Sequence, residues 1–422
     1  MQLTSSIDLG YPVFERTILP NGLRVVTEQI PSVRSISVGV WIGAGSRDEA
    51  LEEAGLAHFI EHMVFKGTTR RRGHHIAQRM EAVGGYLNAF TSKEYTCYYA
   101  RALDEHLGRA LDVVLDLALD PIFPEKEIEK EQDVVLEEIK MYADAPEDLI
   151  FDHYEATIYP DHPLGWPVLG TPETVRSFTR DNLRSFVETR YTPNRLVVSV
   201  AGNVEHDAVV ALVRKLTAGF DRAPVPVDRA PVNGYAPRRV VETKPIQQAH
   251  LVVGTRAWGL QDERRTAVSI LNTILGGGMS SRLSQNIREK YGYCYSVYSF
   301  ANMLADAGDF GVYIGVDAGK VDRARHLVER ELDKLATRRV SDRMLNRAKT
   351  QLKGSMMLGL ESMSNRMMRM GKVELAFERY FTLDDVIAHV DAVTADDVRE
   401  VAAALFQPDR LSSIAIVPDK GA

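Results

Sequence analysis

Apolar residues in the first hundred positions fall mostly at every second place or in short unbroken runs, the spacing of β-strands. Residues 14–19 and 23–28 flank Pro20-Asn21-Gly22, and an Asn-Gly pair accepts the positive φ of a tight hairpin. A third strand is predicted over 35–42. The period then lengthens to that of helices over 55–65 and 75–83, returns to strands at 86–91 and 96–102, and lengthens again at 104–119. Pro124 opens a long helix to about Met141, because proline at the first helical position sacrifices no ladder bond. A strand at 195–201 and a helix at 205–216 close this half.

Four prolines, Pro224, Pro226, Pro231 and Pro237, then fall in a stretch without amphipathic period, which predicts an extended linker. Beyond it come a strand at 248–255, a helix at 264–275, strands at 293–300 and 309–316 and a helix at 320–335. Segments 86–119 and 293–335 share the order strand, turn, strand, helix. The expected fold is therefore α+β with a duplicated domain: an N-terminal domain 1–223, a Pro-rich linker 224–238 and a C-terminal homologous domain 239–422. Gly276-Gly277-Gly278 has no phosphate-loop continuation and is expected to stop a helix where backbone passes closely.

Composition narrows the function. At 422 residues the chain needs no staple to fold, and Lys+Arg 51 against Asp+Glu 58 leaves a net charge of -7, without the basic footprint of a nucleic-acid binder. Cys97 and Cys294 are too few and too far apart for a disulfide framework or a cysteine zinc site. Residues 1–16 contain no apolar run of signal-peptide type, and no stretch has the length of a spanning helix. A cytoplasmic location without a membrane or nucleic-acid role is the expectation.

The chemistry concentrates in His58-Phe59-Ile60-Glu61-His62. On a helix, positions i and i+4 share a face, so His58 and His62 can aim imidazole nitrogens at one ion while Glu61 overlooks the same point. This is the H-x-x-E-H arrangement, and imidazole with an open fourth position suits catalytic zinc. A plain amphipathic helix, with Phe59, Ile60, Met63 and Val64 as its apolar face, accounts for much of the same pattern. A third ligand has six candidates on the helix after Pro124: Glu125, Glu127, Glu129, Glu131, Glu137 and Glu138. Glu131 and Glu138 are two turns apart on one face, so one could reach the metal and the other stand behind it. Spacing alone does not choose among the six, since glutamates in a first turn also serve the helix dipole.

These residues resemble the pitrilysin/insulinase family of zinc peptidases, in particular the half-length branch that includes the mitochondrial processing peptidase β subunit. The H-x-x-E-H is followed 76 residues after its second histidine by Glu138, within a segment, 131–139, similar to the family's stretch around its third ligand. The likeness extends to 19–25, 84–91, the Pro-rich middle and 280–296. It implies zinc bound by His58, His62 and Glu138, with Glu61 as general base and Glu131 as a supporting carboxylate. It also implies two homologous domains, each a mainly antiparallel sheet with helices packed on one side, forming one clamshell.

In the family, the strand matching Asn88-Ala89-Phe90 is an exposed edge to which an extended substrate adds as a further strand. The segment 288–296 resembles one whose arginine and tyrosine steady the substrate carbonyl, which carries to Arg288 and Tyr295. The second half lacks an H-x-x-E-H and is expected to hold no zinc. The expected function is a zinc endopeptidase acting on peptides or unstructured protein, as a homodimer or paired with an inactive homologue. The alternatives are a noncatalytic or partner-dependent subunit of a processing-peptidase-like complex, and a protein that keeps zinc for stability alone.

Overall fold

The structure is a computed structural model that describes residues 13–232 and 234–419. The expectation for the first dozen residues, and position 233 of the linker, lie outside these. Among the described residues, eleven strands form two sheets. β1 (Val13–Ile18), β2 (Arg24–Gln29), β3 (Ser35–Ile42), β4 (Tyr86–Thr91), β5 (Thr96–Leu103) and β6 (Leu196–Gly202) make the first, in the order β1-β2-β6-β3-β5-β4. β7 (Arg239–Lys244), β8 (Ala249–Ala257), β9 (Cys294–Met303), β10 (Gly308–Val316) and β11 (Ser412–Pro418) make the second, in the order β7-β11-β8-β10-β9.

With the hairpin strand β1 set aside, both sheets follow one plan. The last strand lies parallel to the first, between it and the second, and all other pairs are antiparallel. A shared crossover of this kind is far more specific than a shared element order, and it carries the duplicated α+β fold. The hairpin at Asn21-Gly22 forms as expected, with Gly22 at φ 94 and β1 registered on β2 from Ile18↔Arg24 to Val13↔Gln29.

The chain packs as two units. One comprises the described residues up to Leu136 together with Val168–Arg229 and Gly359–Tyr380; the other comprises Glu137–Pro167, Ala230–Leu358 and the described residues from Phe381. Boundaries at 223 and 239 thus divide the strands but not the helices. The helix Pro146–Ile158 sets Ile150, Tyr154 and Ile158 against Val252, Ile414 and Ile416 of the second sheet. In return, the helix Met363–Phe377 sets Met367 and Met370 against Trp41 and Val197 of the first.

These two helices also amend the single helical layer. In the second sheet, Leu251 and Val253 face a core with the helices Arg265–Gly276, Val321–Thr337 and Ala395–Leu405, while Val252 faces Pro146–Ile158 on the other side. Alternate residues point to opposite faces, so both faces are covered. That is why β3, β6 and β10 are buried almost without interruption instead of alternating. Contact on the added face is close: a Cβ on Gly371 would lie 2.1 Å from Trp41 Nε1, which donates to Ser199 Oγ at 2.9 Å.

The helix Arg265–Gly276 stops at the glycine triplet, where a Cβ on Gly276 would meet the Ser299 amide at 2.0 Å. Among its described residues the proline-rich segment carries neither helix nor strand up to β7. Its first part, up to Arg229, is pinned within the first unit, where Arg195 donates to the Pro226 carbonyl at 2.8 Å and Arg229 to Asp48 Oδ2 and the Glu94 carbonyl, each at 2.8 Å. No helix among the described residues is long and apolar enough to cross a membrane.

One buried acid gives the second unit a pH signature. Asp309 on β10 accepts from the Asn302 amide at 3.1 Å and the Tyr159 hydroxyl at 3.3 Å. Burial, and then the charge of Glu155, push its carboxyl from 3.8 up to about 8. The folded chain therefore keeps a proton that the unfolded chain has lost. The group's stabilising contribution is full below its unfolded value and disappears as pH rises through its folded one. Scanning calorimetry should find the melting temperature of the second unit falling between pH 6 and pH 9 by several degrees more in the native chain than in Asp309→Asn.

Candidate metal centre

The helix Leu56–Val64 carries the histidine pair and is fixed from its buried side by Phe59, Ile60, Met63 and Val64, all fully enclosed. Its start has no side-chain N-cap. Glu49, seven residues upstream of Leu56, turns its carboxylate onto the helix instead, accepting from Gly55 N–H at 2.9 Å and Ala57 N–H at 2.7 Å. Those amides are among the first four that a helix leaves unsatisfied. Burial holds the Glu49 carboxyl well above the ordinary carboxylate value, although both amides pull it down. Gly55 must be glycine, since it sits at φ 96 and a Cβ there would lie 2.6 Å from the Leu169 carbonyl oxygen.

The opposing wall is the helix Glu125–Ala143, anchored by Ile128, Val135 and Leu136. It runs unbroken through Glu137, so Glu138 is held by the same rod as Glu131, two turns before it. His62 Nδ1 donates to Glu131 Oε1 at 2.9 Å, and Lys66 Nζ pairs with Glu131 Oε2 at 2.5 Å. Burial raises the Glu131 carboxyl, but the hydrogen bonds from His62 and Lys66 and the Lys66 charge outweigh it and leave the group below the usual range. A carboxylate accepting from Nδ1 fixes the tautomer and turns Nε2 outward as the ligand atom.

Ligand atoms of His58, His62 and Glu138 lie within 4.8 Å of one another, and among the described residues no other group of three comes as near to holding a metal. Tetrahedral zinc with bonds of roughly 2.1 Å sets its ligands about 3.4 Å apart. Two imidazole nitrogens and one carboxylate oxygen therefore fit zinc in type and nearly in position. Burial, with His62 beside it, lowers His58 to about 3, so its imidazole is neutral, as a ligand must be. The expected ligands and Glu131 are thus gathered together.

Glu61 turns toward the end of β4, where the Thr91 hydroxyl donates to its Oε2 at 2.6 Å. β4 is the edge of its sheet, paired with β5 alone, and carries Asn88 exposed, Ala89 buried and Phe90 half-buried. The Asn88 side chain bridges locally, donating to Tyr86 Oη at 2.7 Å and accepting from Ala89 N–H at 2.9 Å. Arg288 and Tyr295 belong to the second unit. Arg288 lies in a π-helical turn, Ser284–Glu289, and pairs with its neighbour Glu289 at 2.9 Å, while Tyr295 is 91% exposed near the start of the edge strand β9.

Three residues of the site were not singled out from sequence: Glu49, Lys66 and Thr91. Lys66 had a signal, since it stands four positions after His62, one helical turn further on. Thr91 and Glu49 had none, because each reaches its partner through the tertiary fold.

Comparison with known proteins matches two models of one family along the chain. Residues 24–172 match the family described as insulinase (peptidase family M16), and residues 177–352 match the peptidase M16 inactive domain. A protein of Streptomyces coelicolor named as an uncharacterized zinc protease is 44% identical over 424 residues, with 98% of this chain and 92% of that protein covered. A probable mitochondrial-processing peptidase subunit beta of Arabidopsis thaliana is 35% identical, with 97% of this chain and 79% of that protein covered. The crystal structure of a protease from Helicobacter pylori shares the fold, with a TM-score of 0.89, 23% identity, and 96% and 100% of the two chains covered.

Glu49→Ala leaves two buried amides without their acceptor, and urea unfolding followed by circular dichroism should show a loss of about 1–3 kcal/mol. Glu131→Gln should leave the fold intact and weaken zinc retention about 10–100-fold, measured by competition with a chromogenic chelator.

Proposed function

The chain belongs to peptidase family M16, and on that premise we propose that it is a zinc-dependent endopeptidase of peptides and unstructured protein segments. The observation that carries the proposal is the convergence of His58, His62 and Glu138, with Glu61 on the same helix as the two histidines. The names of relatives such as the Streptomyces protein support zinc and proteolysis in general; the assignment of roles below is our own.

His58, His62 and Glu138 would hold the zinc, which when bound supplies Lewis-acid activation of a water and of the scissile carbonyl. Glu61 binds no metal in this reading and is left as the base. It takes a proton from the attacking water as the new carbon–oxygen bond forms, then delivers it to the amine as the carbon–nitrogen bond breaks. The Thr91 hydroxyl occupies one carboxylate oxygen of Glu61 and orients the other. Glu131 and Lys66 keep His62 in one tautomer and rotamer.

Substrate is held at the free edge of β4, next to Thr91, as an added strand. Main-chain pairing of that kind asks little of sequence and much of extension, which selects unfolded segments. Arg288 and Tyr295 are assigned to the substrate carbonyl by resemblance alone. The same resemblance brings an assembly of two chains, either identical or one active and one inert.

The test is purified protein assayed on quenched peptides. About one zinc per chain, loss of cleavage with a chelator and recovery on adding zinc are expected. Glu61→Gln should keep its zinc and lose at least 10²–10⁴-fold in turnover, the usual share of a general base. Near-native cleavage by zinc-loaded Glu61→Gln overturns the mechanism.

A further inference from the structure

The first unit carries a concentration of positive charge that hydrolysis does not use. After the histidine helix the chain runs Arg70-Arg71-Arg72-Gly73-His74-His75, and Arg79 follows on the helix Gly73–Glu81. Two open hollows lie along this stretch. One, of about 780 Å³, is lined by Lys66, Arg70, Arg71, Arg72 and His74 and reaches the helix start at Pro124. The other, of about 400 Å³, lies among Arg71, His75, Arg79 and Arg109. Arg71 borders both, so they adjoin as one cationic trough.

Some of this charge is already neutralised. Asp112 and Asp116 pair with Arg70, each at 2.8 Å, and also with Arg71, while Lys66 is held by Glu131. Glu127, the one acid lining the larger hollow, pairs with Lys130 at 2.7 Å. Arg72, Arg79 and Arg109 are different: none has an acidic partner among the described residues. Arg109 donates from its guanidinium to the backbone carbonyl of Arg79 at 3.4 Å, which sets its charge beside the root of the Arg79 side chain without cancelling either charge. His74 and His75 are exposed alongside, with ring centroids 3.9 Å apart.

Three uncompensated guanidinium groups gathered on a chain of net charge -7 complement an anion. The hollows have room for several side chains of an extended peptide, and guanidinium forks match carboxylates two bonds at a time. A polynucleotide fits less well, because Phe65 is the one Phe, Tyr or Trp lining either hollow and bases would find almost no stacking platform. We propose that the trough is an accessory site for acidic residues of a peptide substrate, in the peptidase reading above, on which it rests for the source of the peptide. Lys66 lines the trough and also holds Glu131, so the site begins one side chain away from the metal-holding residues.

The experiment compares two quenched peptides with the same cleavable core, one tailed with three aspartates and the other with three asparagines. The aspartate peptide should show a KM about tenfold lower, with the advantage fading as salt is added. In Arg72→Gln/Arg79→Gln/Arg109→Gln that advantage should vanish, while the asparagine peptide behaves alike in both proteins. Equal KM for both tails in the native chain, or an aspartate preference that survives the triple substitution, overturns the proposal. Should neither peptide be cleaved, the peptidase reading fails, and anisotropy of the labelled aspartate peptide tests the trough alone. Binding that the triple variant loses then supports the site, and no binding to the native chain overturns it. Tighter competition for the same arginines by an oligothymidylate or by phosphatidylglycerol vesicles overturns the peptide assignment in favour of that polyanion.

Discussion

The hydrogen bond from His62 Nδ1 to Glu131 is the contact on which the rest of the centre depends. It joins the two helices that make the site and decides which imidazole nitrogen faces outward. Lys66 on the second oxygen helps hold the Glu131 carboxyl below its usual range, and both of its oxygens are engaged. With Glu131 thereby engaged by His62 and Lys66, Glu138 is the carboxylate whose oxygen lies with the two imidazoles.

Both walls are rigid for ordinary reasons of packing. The histidine helix is nine residues long, too short to hold its shape alone in water, so its order comes from burial of one face and from the Glu49 cap. Each sheet, in turn, is closed on one face by a helix from the other half of the sequence. Neither half of the sequence therefore completes its own core.

Much of this was legible in the residues because it rests on local periods. The i, i+4 histidines, the glutamate one position before the second, and two glutamates seven apart are all helix-face arithmetic. Resemblance, not spacing, selected Glu138 among six candidates, and the gathering of ligand atoms agrees with that choice. Part of what went unread had weak patterns. The helix Asp342–Gly359 buries only Leu345 and Ala348, so it shows almost no apolar stripe, and β7 is half exposed along its length. Glu49 and Thr91 were invisible for a different reason: a carboxylate and a hydroxyl in loop and strand carry no period, and their partners are chosen by the folded chain.

The common strand plan of the two sheets has one more consequence. Duplication that reproduced the order of strands also reproduced the open edge, so β9 occupies in the second sheet the place that β4 occupies in the first. Along 294–303 there is no charge and no proline, the residues that usually discourage a stray strand from joining, and Tyr295 and Tyr298 stand exposed. If β4 accepts an extended segment, as proposed above, β9 offers the same kind of edge a second time, and none of His58, His62 and Glu138 lies on it. That edge is where crowding and self-association would first leave their mark.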